Sequence, residues 1–331
     1  MRRVIESRAV RVVAGLAVSP AFLAATVRQV DLQVALRLLV EAQPAWIVVA
    51  IGLVSTEVLL RALRWRLLLR PFRVVPVRYA AGYLCIGYFA NTLLPARLGD
   101  LARAALAGRT LGIPQLATLG TIVVERLADG LTILALVIVL GLAVTGASTL
   151  VGTAVVLAVA GAAAVAVLLA VLLVAYRLRL HETRRGGALV AFIQRIAIGA
   201  TALRSPVAFV TVIGYTLAAF GMAVSAFLAT SAAVGITVTP LQAAVVMGGL
   251  ALSTAIPAAP GAIGTYEFVG VAILTSFGVA PEAALATVLL VHAIALLVPS
   301  LAGLATAWVL HFNVRDVAVG TGADSPPVPA A

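Results

Sequence analysis

The chain has 331 residues, 63% hydrophobic and 11% charged, with mean hydropathy +1.16 and formal net charge +11. That is more apolar side chain than a soluble core can bury, so a water-soluble globule is excluded; at about 20 apolar residues per bilayer span, there is room for about six to eight spans. All 23 cationic residues are arginine, gathered at the ends of apolar segments, where retention of positive charge in the cytoplasm accounts for them without nucleic acid.

Met1 to Arg11 is basic and Val12 to Ala25 apolar, a pattern that imitates a signal peptide. Further apolar segments follow, so an uncleaved first span is expected over about Ala9 to Val27, kinked at Pro20, with a cytoplasmic amino terminus. Gln29, Gln33, Arg37 and Glu41 then recur opposite Leu32, Leu36, Leu39 and Val40, which predicts a helix lying in the outer interface over Gln29 to Gln43. A second span runs from Trp46 to about Leu63 and ends in Arg61, Arg64, Arg66, Arg70, Arg73 and Arg78, the densest basic cluster, placed on the cytoplasmic side.

The apolar run Tyr79 to Leu94 is short and is followed by Pro95, Gly99 and the arginines Arg97, Arg103 and Arg109. If it crossed the membrane, those arginines and the later cluster Arg177 to Arg204 would be exported; a re-entrant hairpin keeps both inside. Thr118 to Val144 is expected to cross outward, Gly146 to Thr149 to turn, and Leu150 to Ala175 to return, with a surface helix over Ala188 to Leu203. Val207 to Ala233 crosses outward again. Leu241 to Ile256, a break at Pro257, Pro260, Gly261 and Gly264, and Phe268 to Val279 form a second hairpin, and Ala283 to Leu310 is the last span. His311 and Arg315 mark its cytoplasmic end.

The expected fold is an all-α polytopic membrane protein with about six full spans and two re-entrant broken hairpins. It forms a single transmembrane domain over 1–311, in pseudo-symmetric halves of about 45–175 and 206–311, with a disordered cytoplasmic tail over 312–331. Pro95-xxx-Gly99-Asp100 and Pro260-xxx-Gly264 followed by Glu267 lie 165 positions apart, and paired Pro/Gly interruptions in opposite halves point to an inverted repeat with a site near the midplane.

Ionisable groups inside spans cost roughly 2.5 to 3.5 kcal/mol each, so each needs a reason. Glu57 stands four residues before Arg61, the spacing of a structural ion pair. Glu125, Arg126 and Asp129 fall well inside a span and must face protein or water. Their spacings allow them to satisfy one another, and the set reads as a buried network holding the first hairpin to this span or as a polar lining, two readings that are compatible. At the first break Asp100 reads as a helix N-cap with Asn91 nearby, and backbone N–H groups with Arg97 and Arg103 suit an anion such as phosphate. At the second, Gly261 and Gly264 permit close backbone approach and Glu267 is a lone acid in apolar sequence. No catalytic residue, metal site or cofactor is expected: His181, His292 and His311 have no ligand spacing, and no GxSxG, HExxH, DxD or P-loop pattern occurs. His292 and the single cysteine, Cys85, read as packing residues, a proton relay being the alternative for His292.

Arg64-Trp65, Asn91-Thr-Leu-Leu-Pro95-Ala-Arg97-Leu-Gly99-Asp100-Leu-Ala-Arg103, Val124-Glu125-Arg126-Leu-Ala-Asp129 and Pro260-Gly261-Ala-Ile-Gly264-Thr-Tyr-Glu267 together resemble the lysylphosphatidylglycerol synthase transmembrane region, or flippase-like, family. The resemblance covers nearly the whole chain. It implies a multi-pass protein of the bacterial inner (plasma) membrane, related to the portion that moves aminoacylated phosphatidylglycerol between leaflets. Full-length synthases carry a soluble carboxy-terminal transferase domain, and only a short tail follows the last span here, so synthase activity is expected to be absent. Asp100 stands where the family usually has Glu, and Ala262 where it often has Gly.

The function expected is therefore translocation of a membrane phospholipid or lipid-linked substrate, not catalysis, with no nucleic-acid partner. Asn91, Arg97, Asp100, Arg103, Glu125, Arg126, Asp129 and Glu267 would lie on the head-group path, and Pro95, Gly99, Pro260, Gly261 and Gly264 would form the breaks. The rival readings are a secondary transporter for a small solute and a non-transporting accessory protein partnered with an enzyme of envelope lipid synthesis.

Overall fold

The computed structural model describes residues 19–28, 30–93, 98–144, 198–254 and 259–309, and the described residues contain helices and no strand. The first part of the expected amino-terminal span, Pro95 and Arg97, the turn and return span over Gly146 to Ala175, most of the surface helix over Ala188 to Leu203, Pro257 and the carboxy-terminal tail lie outside them. Residues 19–27 form α1. It is followed by α2 (Leu32–Val40), α3 (Pro44–Leu69), α4 (Val77–Leu93), α5 (Leu98–Leu111) and α6 (Gln115–Val144). A 3-10 helix (Ile198–Arg204) leads to α7 (Pro206–Val234) and α8 (Pro240–Ser253), and a 3-10 turn (Pro260–Ala262) precedes α9 (Thr265–Ser276) and α10 (Pro281–Val309).

The ends of these helices follow from local chemistry. Proline opens α3, α7, α8 and α10, where its fixed φ suits the first helical position and its missing N–H is no loss. Asp31 caps α2 by accepting from the N–H groups of Gln33 (2.8 Å) and Val34 (3.3 Å). Thr239 and Gln242 make a reciprocal capping box at the start of α8. Helix α7 ends at Gly235, whose φ of 84° allows Ile236 N–H to reach back to Ser231 O at 3.0 Å.

Three described helices are long and apolar enough to cross a membrane: α3, α7 and α10, of 26, 29 and 29 residues. The family of elements is thus that of a multi-pass membrane protein. Helix α3 runs six residues beyond its expected end, which places Arg64 and Arg66 on the helix itself.

The described chain gathers into two compact units that interleave in sequence. The first takes its residues from 1–57, 89–98 and 220–300, and the second from 58–88, 99–219 and 301–331. In lipid, burial of leucine gains little over exposure to acyl chains, so close packing depends on small residues. In the first unit Ala50 of α3 meets Ala226 and Ala229 of α7 and Ile294 of α10. Helices α8 and α9 pack where Gly249 lies beneath Ile273, and Gly270 meets Leu250 and Val288. In the second unit Trp65, Leu69, Tyr83, Leu106 and Ala107 join α3, α4 and α5, and Leu68, Val124, Ala128, Ala202 and Val212 join α3, α6, the 3-10 helix and α7. Two arginines of the dense basic cluster tie loops to helices here: Arg66 Nε donates to Val75 O at 2.8 Å and Arg73 to Leu111 O at 3.0 Å.

Candidate functional site

Within the second unit, the acids of α6 are neutralised by arginines from other helices. Glu125 accepts from Arg103 of α5 and, at 3.4 Å, from Arg64 of α3. Asp129 takes Arg64 Nη1 at 2.5 Å and Arg61 Nη1 at 3.1 Å. Arg126 forms a two-pronged pair with Asp100, Nε and Nη2 lying 3.2 and 2.9 Å from its two oxygens. Burial makes this pairing obligatory: the side chains of Arg64, Arg103 and Glu125 are 2%, 1% and 3% exposed, and an uncompensated ion there carries a penalty of several kcal/mol.

A scaffold of neutral groups holds the guanidinium planes. Arg103 lies 4.1 Å over the Trp65 ring, a cation–π contact, and Trp65 Nε1 donates to Thr121 Oγ1 at 3.0 Å. Arg64 donates to Thr216 Oγ1 of α7 at 2.9 Å. Gly87 of α4 admits Arg103, whose Cβ would lie 3.2 Å from any Cβ added there. The Nε atoms of Arg64 and Arg103 are buried and have no hydrogen-bond acceptor among the described residues.

Glu125, Arg126 and Asp129 stand in a buried network that ties α6 to α5 of the expected hairpin and to α3. These residues share one helix but each finds its partner on another, because their long side chains reach across the α3, α5 and α6 contacts. Asp100 is not a cap: α5 is helical from Leu98, and the carboxylate sits in the first turn, turned to Arg126. Arg61, four residues after Glu57, also reaches Asp129. Gly99 is buried next to Asp100. Asn91 is half-buried on α4 in the first unit, next to Thr92, whose hydroxyl lies 3.4 Å from that of Ser300.

Glu267 also belongs to the first unit, and there the structure assigns His292 a different role from packing. Glu267 Oε1 lies 2.6 Å from His292 Nδ1, and His292 Nε2 lies 2.9 Å from Gly261 O. The other carboxylate oxygen accepts Gly264 N–H at 2.6 Å, closing the start of α9. The Tyr266 ring stacks on the imidazole at 4.0 Å. Pro260 opens the turn; Gly261, Ala262 and Gly264 have φ of 72°, 58° and 93°. At Gly264 an added Cβ would meet Ser19 O at 2.5 Å, and Ser19 Oγ accepts Ala259 N–H at 2.8 Å, so α1 closes over the turn. Phe22 and Phe268 pack alongside, 4.7 Å apart.

Sequence reasoning missed Arg64, Arg61 and Trp65 as site residues and took packing before a proton relay for His292. In the sequence Arg64-Trp65 stands only within a family pattern, and a topological explanation suits these arginines equally well. Among the described residues no three His, Cys, Asp or Glu side chains gather as a metal site.

The sequence profile of the family described as "Lysylphosphatidylglycerol synthase TM region" matches residues 12–303. Among curated proteins, Glycosyltransferase AglD of Haloferax volcanii is 34% identical over 146 residues, which is 42% of this chain and 23% of that protein. This chain thus matches less than a quarter of the length of that relative. No solved structure matches.

Proposed function

The chain belongs to the lysylphosphatidylglycerol synthase TM region family, and from that membership we propose that it translocates a phospholipid or lipid-linked substrate between the leaflets of a bacterial inner membrane, with both termini cytoplasmic. The observation that carries the reading is the pair of buried guanidinium groups, Arg64 and Arg103, held inside an apolar helical protein, whose Nε–H groups meet no acceptor among the described residues. A phosphodiester supplies acceptors that suit the planar guanidinium fork. A lysylphosphatidylglycerol synthase, from which the family takes its description, and a glycosyltransferase differ in the group transferred. A lipid anchor with a polar head is a substrate that a shared membrane region could serve in both.

The full architecture proposed is six spans and two re-entrant hairpins in an inverted repeat. Helices α4, α5, α8 and α9, of 17, 14, 14 and 12 residues, fall short of the ~20 needed to span, which supports pairing them as broken hairpins. Each half also repeats one pattern: after the Pro-xxx-Gly break an acid meets a base 26 residues on (Asp100 and Arg126) or 25 residues on (Glu267 and His292).

The test uses the full chain in vesicles containing head-group-labelled phosphatidylglycerol, its lysyl ester or a glycosylated lipid phosphate, with a membrane-impermeant quencher outside. At least one label is expected to become accessible faster than in protein-free vesicles, and Arg103→Lys, which keeps the charge but loses the fork, is expected to slow it. Protein-free rates for all three lipids would sink the proposal. A non-transporting accessory role is the second reading, favoured by Asp100, Glu125 and Asp129 each having a cationic partner; it expects that null result with well-folded protein.

A further inference from the structure

We propose that Glu267 and His292 hold one labile proton between them, and that its release unlatches the broken helix, so that a proton gradient drives the lipid movement proposed above. The inference rests on the translocator reading and adds its energy source.

The hydrogen-bond partners dictate the proton count. Gly261 O can only accept, so His292 Nε2, 2.9 Å away, carries a hydrogen and donates it. In the neutral ring that leaves Nδ1 with a lone pair, pointing at a carboxylate oxygen 2.6 Å away. Two lone pairs do not stay in contact at that distance. A further proton therefore lies between them, giving either imidazolium with carboxylate or imidazole with carboxylic acid. Both forms have no net charge, and they are one macroscopic titrating site. Losing that proton leaves a carboxylate facing a lone pair and a net negative charge on side chains only 4% and 7% exposed.

The surroundings leave little to absorb that charge. Tyr266 covers the imidazole face, and Glu57 of α3 acts electrostatically on Tyr266 as a second acid. Among the described residues α1 brings the neutral Ser19, engaged with Ala259 N–H. No arginine of the described residues bonds to Glu267 or His292. Separation of the pair is thus the direct response to deprotonation, and it acts on strained backbone. His292 holds Gly261 O, Glu267 holds Gly264 N–H, and between them Ala262 is kept at φ 58°, costly for a residue with a Cβ. Opening the pair frees both ends of that turn, while proton uptake closes it again.

The Glu267→Gln variant separates the proton from the hydrogen bond. Its amide can donate to Nδ1 and its carbonyl can accept Gly264 N–H, so the latch persists without a labile proton. In vesicles carrying the full chain and the labelled lipids, an imposed pH gradient is expected to accelerate wild-type lipid movement several-fold and to leave Glu267→Gln unaffected. Lipid movement indifferent to the gradient in wild type, or a response retained in Glu267→Gln, would overturn the coupling while leaving the translocator reading intact. If no lipid moves in any arm, that reading and the coupling fall together. The proton site is judged separately by nitrogen-15 histidine spectra of the protein in bilayers, with His292→Gln assigning the ring. The Nδ1 signal is expected to shift with pH in wild type and not in Glu267→Gln; a wild-type Nδ1 unchanged across the pH range overturns the site.

Discussion

Glu125 shows how little freedom a buried ion leaves its neighbours. It faces Arg103 and Arg64, both fully buried, so neutralising it strands positive charge where water cannot compensate. Glu125→Gln is expected to lower stability by about 3 kcal/mol, read as a lower midpoint of thermal unfolding in detergent; an unchanged midpoint would show that the arginines have other compensation. Adding Arg103→Met should return part of the loss, since the double change removes both charges and keeps an apolar stem over Trp65. Glu125, Arg126 and Asp129 were legible from sequence because charge inside an apolar window is conspicuous. Arg103 and Asp100, 22 and 26 residues from their partners, were legible as charges at the first break but not as pairs, and Arg64 and Arg61, 61 or more residues away, leave no local trace of theirs. Arg64 was hidden by five other arginines nearby that suit a membrane boundary equally well. His292 was hidden because a lone histidine in an apolar run has the same pattern whether it packs or bonds.

Helices are where sequence reading came closest. The expected run Tyr79 to Leu94 is α4, Val77–Leu93, and Leu241 to Ile256 contains most of α8, Pro240–Ser253; apolar length and the proline and threonine signals decide both. The end of α3 was misjudged because arginine is a good helix former, and nothing before the Pro71 turn region stops the helix. The turn before α9 carries its own prediction. Ala262 occupies a left-handed conformation that costs about 1 kcal/mol for a residue with a Cβ, in the position where the family pattern often reads glycine. Ala262→Gly is expected to be neutral to stabilising despite the added freedom of the unfolded chain, with an unfolding midpoint at or above that of wild type. A clear fall in the midpoint would mean that the Ala262 methyl packs more favourably than its backbone is strained.

At the scale of the whole molecule, arginine placement makes a prediction that packing does not. If α4 and α5 return to the side from which they entered, Arg103 and Arg109 remain on the same side as the arginine cluster of α3, which charge retention would place in the cytoplasm. A reporter fused after Gly108 is expected to be active only in the cytoplasm; activity outside would make α4 a crossing segment and undo the hairpin. The first ion cluster also bears on how the chain is made. Its arginines and acids all lie between Arg61 and Asp129, with Thr216 alone supplied from later sequence. When Glu125 and Asp129 emerge from the ribosome, Arg61, Arg64 and Arg103 have already been synthesised. For Glu125 and Asp129 the direction of synthesis delivers the arginines ahead of the acid they neutralise, whereas Asp100 is made before its partner Arg126 and must wait for it.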